Sequence, residues 1–168
     1  MYRTPTPTDC KFATDTRDYQ DIVDKLNAED SFLKNTCLTV TRLEDGLAVT
    51  QMNATEEVLN IYGMVHGGAV FTLADTTAGV CALTNTPHVV TLGSSINFIR
   101  AATPGLLTAT ATRVHAGKTT GVYDVEIVNE KGKLVANATF TMFFYRDTLP
   151  GPKNHESRHK NDNDTASK

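Results

Sequence analysis

Residues 67–83 read GGAVFTLADTTAGVCAL, and Asp75 is the only charge among them. The run holds no proline and is long enough for about four turns of helix. Its apolar residues keep to no single stripe. A helix that is apolar all round is buried, so the rest of the chain has to cover it.

The flanks supply the cover. After Pro87 the pattern turns to alternation, and Val90, Leu92, Ile96 and Phe98 are expected on one face of a long strand. Pro104 and Gly105 mark a turn, residues 106–115 a strand rich in Thr and Ala, and Gly117 its end. Residues 120–128 form the next strand, and Asn129 to Gly132 a hairpin turn. Residues 134–145 close the set, with Leu134, Ala136, Ala138, Phe140, Met142 and Phe144 on one face. Four strands joined by short turns predict an antiparallel meander. Upstream, residues 38–43 and 47–52 alternate about Glu44-Asp45-Gly46 and read as a hairpin. Before them, Tyr19, Ile22, Val23, Leu26 and Leu33 make residues 18–33 a moderately amphipathic helix. A strongly curved sheet wrapped round one apolar helix satisfies this order. The fold class is α+β, of the hotdog architecture.

A chain of 168 residues fits a single domain, with its core over about residues 36–146. Residues 1–17 and 150–168 are polar, lack apolar patterning and are expected to be flexible. The net charge of −3 gives no reason for a broad nucleic-acid or membrane surface. No apolar stretch is long enough to span a bilayer, and the first residues contain no apolar leader core. Cys10, Cys37 and Cys81 are odd in number and show no CxxC spacing, which argues against disulfides and structural zinc and for a reducing compartment, the cytoplasm. The sequons at Asn53, Asn137 and Asn163 are then accidental. No HExxH, clustered His/Cys set or GxSxG elbow occurs, so neither a catalytic metal nor a serine nucleophile is expected. AGKTTG is no phosphate loop, because Thr112 stands where its first glycine would have to be.

The chemistry concentrates at the start of the apolar helix. The first amides of a helix have no internal partner, and the dipole there favours negative charge. Without a Cβ at Gly67, a substrate carbonyl can approach the backbone closely and find an oxyanion hole. Tight packing would ask for the same glycines, so they do not decide alone. Asp75 adds weight: a carboxylate on so apolar a helix has to be paired, set at a cleft or protonated. No Lys or Arg lies within a turn of it. Gly67 and Asp75 are eight residues apart, roughly 12 Å along a helix axis. A reacting carbonyl has to lie about 3 Å from both oxyanion donor and attacking group. Two antiparallel copies of the helix could bring Gly67 of one chain to Asp75 of the other, which predicts at least a dimer with interfacial sites.

The stretch NIYGMVHGGAVFTLAD, residues 60–75, resembles the motif of the PaaI-like hotdog thioesterases: Asn, Gly three on, HGG, and Asp nine after the His. Asn60, Gly63, His66, Gly67, Gly68 and Asp75 fall in register, and INFIRAATPGLLTATATRVHAGKTTGVYDVEIVNEKGKLVANATFTMFF is similar to that family throughout. The resemblance implies hydrolysis of acyl-CoA thioesters without a cofactor, by a homotetramer of two hotdog dimers. It implies Asp75 as nucleophile or general base, and the Gly67 amide, with Gly68 beside it, against the thioester oxygen. Asn60 would orient the carbonyl or the attacking water, facing the partner subunit's Asp75. His66 would shape the loop and bond near the thioester. For anionic CoA, Arg100 and Lys118 would meet the nucleotide, with Arg113 and His115 as further cations. Some relatives carry a Ser or Thr helper on the strand after the helix. The aligned position here is Gly93, with Thr91, Ser94 and Ser95 close by, so the helper is left open. From the residues themselves, pocket depth is expected to be set by Tyr62, Met64, Phe71, Phe98 and the helix of a neighbouring chain. Two rivals remain: a hotdog hydratase or dehydratase working by proton transfer, which the HGG-to-Asp spacing opposes, and a non-catalytic acyl-CoA-binding hotdog.

Overall fold

The structure is a computed structural model and describes residues 19–145. Cys10, Asn163 and the two segments expected to be flexible lie outside the described residues. The elements run α1 (Tyr19–Glu29), α2 (Ser31–Asn35), β1 (Leu38–Glu44), β2 (Leu47–Ala54), a 3-10 turn (Glu56–Val58), α3 (Gly67–Ala82), β3 (Val89–Phe98), β4 (Gly105–Ala116), β5 (Thr120–Asn129) and β6 (Leu134–Phe144). The expected single leading helix is two. The Asp30 carboxylate accepts from the Phe32 and Leu33 amides and caps α2, which ends one helix and starts another.

All strand pairs are antiparallel, in an open sheet of order β1-β2-β4-β5-β6-β3. The meander therefore covers β4, β5 and β6 only. β3 crosses to the far edge beside β6, and β2 takes the place next to β4. Strand alternation carries no information about partners, so the crossing was invisible in the pattern.

A second correction concerns β3. Thr91 opposes Met142 and Gly93 opposes Thr141, leaving Leu92 as a bulge between them. The bulge reverses the alternation. Val89 and Thr91 lie on the helix side before it, Ser94, Ile96 and Phe98 after it, and Val90 and Leu92 do not share their face.

Helix α3 lies on the concave side. Small residues beneath it, among them Ala48, Ala109, Ala111 and Ala136, are fully buried and let the helix approach the sheet closely. Val70, Leu73, Ala74, Thr77, Ala78, Val80, Cys81 and Ala82 form its buried side. Burial pushes the Cys81 thiol up to about 12, which leaves it inert at neutral pH. The helix is not covered all round, however. Gly68, Phe71, Thr72, Asp75, Thr76 and Gly79 make a stripe that this chain leaves partly or wholly open.

Among the described residues one buried side-chain atom lacks a partner: Thr50 is 0% exposed and its hydroxyl makes no hydrogen bond. An unsatisfied buried hydroxyl costs about 1–3 kcal/mol, and Val has nearly the same shape. Thr50→Val should therefore raise Tm, by ~2–4 °C for each kcal/mol recovered. A calorimetric Tm equal to or below wild type would show that the hydroxyl is satisfied in solution.

Candidate active site

The loop before α3 is built by Asn60. Its side-chain oxygen accepts from the Tyr62 and Met64 amides at 2.9 and 3.2 Å. Its own amide donates to Met64 O, and Gly63 N donates to its carbonyl. Gly63 takes φ +73°, a conformation that suits glycine. These bonds occupy Asn60 Oδ1 and leave its Nδ2 donor free among the described residues.

His66 caps α3. Its Nδ1 accepts from the Gly68 amide at 2.8 Å, so that nitrogen is unprotonated and Nε2 carries the hydrogen. The bond separates the roles of the two glycines. A Cβ at Gly68 would stand 3.0 Å from His66 Nδ1, a tight contact that would press on the cap, so the cap favours glycine there. The Gly68 amide is taken by His66. At Gly67 a Cβ would meet only the Phe98 ring, at an ordinary 3.7 Å, and packing makes no such demand. The Gly67 amide is the first of the helix and has no acceptor among the described residues.

Asp75 lies on the open stripe of α3, half-buried. Its partner is the Thr91 hydroxyl, which donates to Oδ1 at 2.7 Å and also lies 3.5 Å from Met142 Sδ. The position that corresponds to the family's hydroxyl helper is Gly93, which carries no hydroxyl, and the resemblance leaves the helper open among Thr91, Ser94 and Ser95. Thr91 faces the helix with Val89, and the bulge at Leu92 lets Ser94, Ile96 and Phe98 share that face. The signal available beforehand was only that a Thr lay nearby.

The cations scatter. Arg100 donates to Leu134 O, next to the start of β6. Lys118 stands exposed in the β4–β5 turn, whose Thr119 carbonyl accepts from Phe144 at the end of β6. The length of β6 separates them, about 30 Å. In one chain they do not meet. Arg113 is engaged elsewhere: its guanidinium pairs with the Asp45 carboxylate at 2.8 and 3.0 Å and reaches Asn85, which also accepts from the buried Tyr123 hydroxyl. The hydrogen bond to Asp45 holds the Arg113 pKa above its ordinary value. This cluster fastens the β1–β2 turn to the end of α3. His115 lies exposed near the end of β4. No group of three or more metal-ligating side chains occurs among the described residues.

The thioesterase superfamily matches residues 62–136. The acyl-coenzyme A thioesterase PaaI of Escherichia coli K12 is 39% identical over 108 residues, 64% of this chain and 77% of that protein. Its solved structure superposes with a TM-score of 0.73 over 79% of this chain and 96% of that one, at 32% identity. The 1,4-dihydroxy-2-naphthoyl-CoA hydrolase of Listeria monocytogenes is 34% identical over 62% of this chain and 88% of that protein. A hypothetical thioesterase protein from Streptococcus pneumoniae TIGR4, solved with coenzyme A, has 36% identity and a TM-score of 0.61, over 66% of this chain and 94% of that one. Likeness at this level, over most of each relative's length, defines the class as thioester hydrolases of the hotdog fold. Within that class the chain belongs to the PaaI-like acyl-CoA thioesterases.

Proposed function

We propose that this protein hydrolyses acyl-CoA thioesters at sites shared by two subunits. The Gly67 amide, Asn60 and His66 of one subunit would work with the partner subunit's Asp75. The observation that carries this reading is the open face of α3. A free helix-start amide at a glycine that packing does not require lies roughly 12 Å from a half-buried carboxylate on the same helix. One thioester carbonyl reaches both only across two antiparallel copies.

The far edge of the sheet supports that pairing. β3 is ten residues long, has no neighbour beyond it among the described residues and carries Leu92, 61% exposed. A long open edge is a template for another strand, and a twofold axis would pair it with itself. The two α3 helices then run side by side, and two such dimers make the tetramer that the family resemblance implies. The same geometry lets Arg100 of one chain and the partner subunit's Lys118 serve one CoA from opposite ends. Among the described residues no helix is long and apolar enough to cross a membrane. The free Cys37 and Cys81 support a cytoplasmic location.

In the reaction, Asp75 supplies the carboxylate, either taking a proton from an attacking water, or attacking the carbonyl itself to form an acyl–Asp75 anhydride that water cleaves, once the thiolate has left, to the free acid and the restored carboxylate. The Gly67 amide and the Asn60 Nδ2 donor hold the oxygen as it gains charge. The C–S bond then breaks, and the CoA thiolate leaves, taking up a proton from the medium. Thr91 acts through Asp75 as a positioning residue. In the Streptococcus pneumoniae relative, an aspartate and a threonine replaced by alanine in two solved variants stand sixteen positions apart. Asp75 and Thr91 have the same separation.

A direct test is CoA release from aryl- and fatty-acyl-CoA esters by the full chain. Release supports the hydrolase reading, whereas binding of all esters with cleavage of none would make the protein an acyl-CoA sensor. Thr91→Ala should lower kcat about 10- to 100-fold, the scale of one hydrogen bond to a charged group. Thr91→Ser should restore most of the loss. Equal rates for both variants and wild type would remove Thr91 from the site.

A further inference from the structure

The loop that leads into α3 carries two large apolar side chains left bare by this chain: Ile61 is 91% exposed and Tyr62 76%. The loop beneath them is well anchored. Besides the bonds made by Asn60, Leu59 bridges Val65, Val65 N donates to Ala102 O, and His66 N donates to Val58 O. An anchored loop holding apolar tips in the open is shaped for a partner surface.

The interfacial pairing says which surface that is. If Gly67 faces the partner subunit's Asp75, the twofold axis passes near Phe71, midway between them. The loop tip immediately precedes the helix start at Gly67, and Gly79 lies one turn beyond Asp75 toward the helix end. An axis that sets Gly67 against the partner subunit's Asp75 therefore carries the loop tip toward the next turn of the partner's helix, which holds the partner subunit's Gly79. There the open stripe has room: a Cβ on Gly79 would meet nothing within 4 Å.

We propose that Tyr62 seats against the partner subunit's Gly79 and forms a wall of the acyl pocket beside the partner subunit's Asp75. The tyrosine of one subunit thereby sets the size of acyl group that the other subunit's carboxylate can reach. The inference rests on the interfacial reading of Gly67 and Asp75. With three-quarters of its surface exposed, Tyr62 does not lie along its own helix, so in the isolated chain it walls nothing.

The test uses Tyr62→Ala, Tyr62→Phe and Asp75→Asn chains and a panel from acetyl-CoA through benzoyl-CoA to dodecanoyl-CoA. Removing the ring should shift kcat/KM toward the largest acyl groups, relative to the smallest, by about 10-fold or more. Tyr62→Phe should keep the wild-type ratio. Tyr62→Ala chains are then co-expressed with Asp75→Asn chains in excess, and the mixed oligomer is isolated through a tag on the Tyr62→Ala chain. Nearly every live carboxylate now sits on a Tyr62→Ala chain whose partner keeps its tyrosine. The mixed oligomer should show the wild-type ratio. The Tyr62→Ala ratio in the mixed oligomer would overturn the proposal, because Tyr62 would then serve its own chain. An unchanged ratio in the Tyr62→Ala oligomer would overturn it as well. Both results leave the catalytic reading standing. Full activity of Asp75→Asn alone would remove that reading and this inference together.

Discussion

Replacing Asp75 by Asn should lower kcat for acyl-CoA hydrolysis by roughly 100-fold or more, with fold and assembly unchanged. That is the scale expected for loss of a positioned base, ~2.7 kcal/mol of barrier at the least. The substitution is a clean probe because the site tolerates its shape. Thr91 donates to Asp75 Oδ1, and the oxygen of an asparagine amide accepts the same bond. No Lys or Arg pairs with Asp75 among the described residues, so no cation is orphaned by neutralising it. The buried side of α3, with Ala74 and Ala78 next to this position, keeps its packing. What disappears is the capacity to take a proton or to attack a carbonyl. KM should change little, since most of the CoA lies away from this group. The measurement is steady-state CoA release, with thermal unfolding and light scattering as controls. A loss below about fivefold in a folded oligomer would reduce Asp75 to an anchor for the start of β3.

The sequence carried most of this site because the site is local. Asn60, His66, Gly67 and Asp75 fall within sixteen residues, and a helix fixes the spacing of its own members. The long apolar helix and the hairpin turns were legible for the same reason. Thr91 was not, because counting back by twos from Ile96 and Phe98 puts Thr91 on the other face, and only the bulge at Leu92 returns it to theirs. The open stripe on α3 was also hidden. Composition made that helix look buried on every side, yet Thr72, Asp75 and Gly79 stay partly open, and Phe71 is 36% exposed although its ring touches Phe140 of the sheet. A residue that another subunit covers is as apolar as one covered by its own chain, so hydropathy does not separate the two. Arg113 shows the converse. It stood with His115 and Lys118 among the candidate cations for anionic CoA, but the turn at Gly46 brings Asp45 to it across 68 residues. The crossing of β3 to the far edge is likewise non-local, and it decides which strand edge is left open for a partner.

The largest loss of stability should come from Phe140→Ala, about 3–5 kcal/mol, read as a lowered urea midpoint and a Tm drop of order 10 °C. Phe140 is fully buried on β6, opposite Ser94 of β3 and Tyr123 of β5, beneath α3. Its ring centroid lies 5.7 Å from that of Phe71, with the planes tilted by 53°. The surrounding residues cannot close the gap easily: Tyr123 is held by Asn85, and the strands on both sides are held in register. A cavity that cannot collapse keeps its full cost. The same hole frees one face of Phe71, which stands one turn before Asp75 on α3. Activity measured well below Tm should therefore fall too, though by less than in Asp75→Asn, because the carboxylate and its Thr91 bond remain. Phe140→Leu, which leaves most of the volume filled, should cost under about 1.5 kcal/mol. If Phe140→Ala costs no more than that, the sheet relaxes onto the helix and Phe71 is not supported by this contact. If stability falls as expected while kcat is untouched, the core under α3 and the open stripe above it are energetically separate.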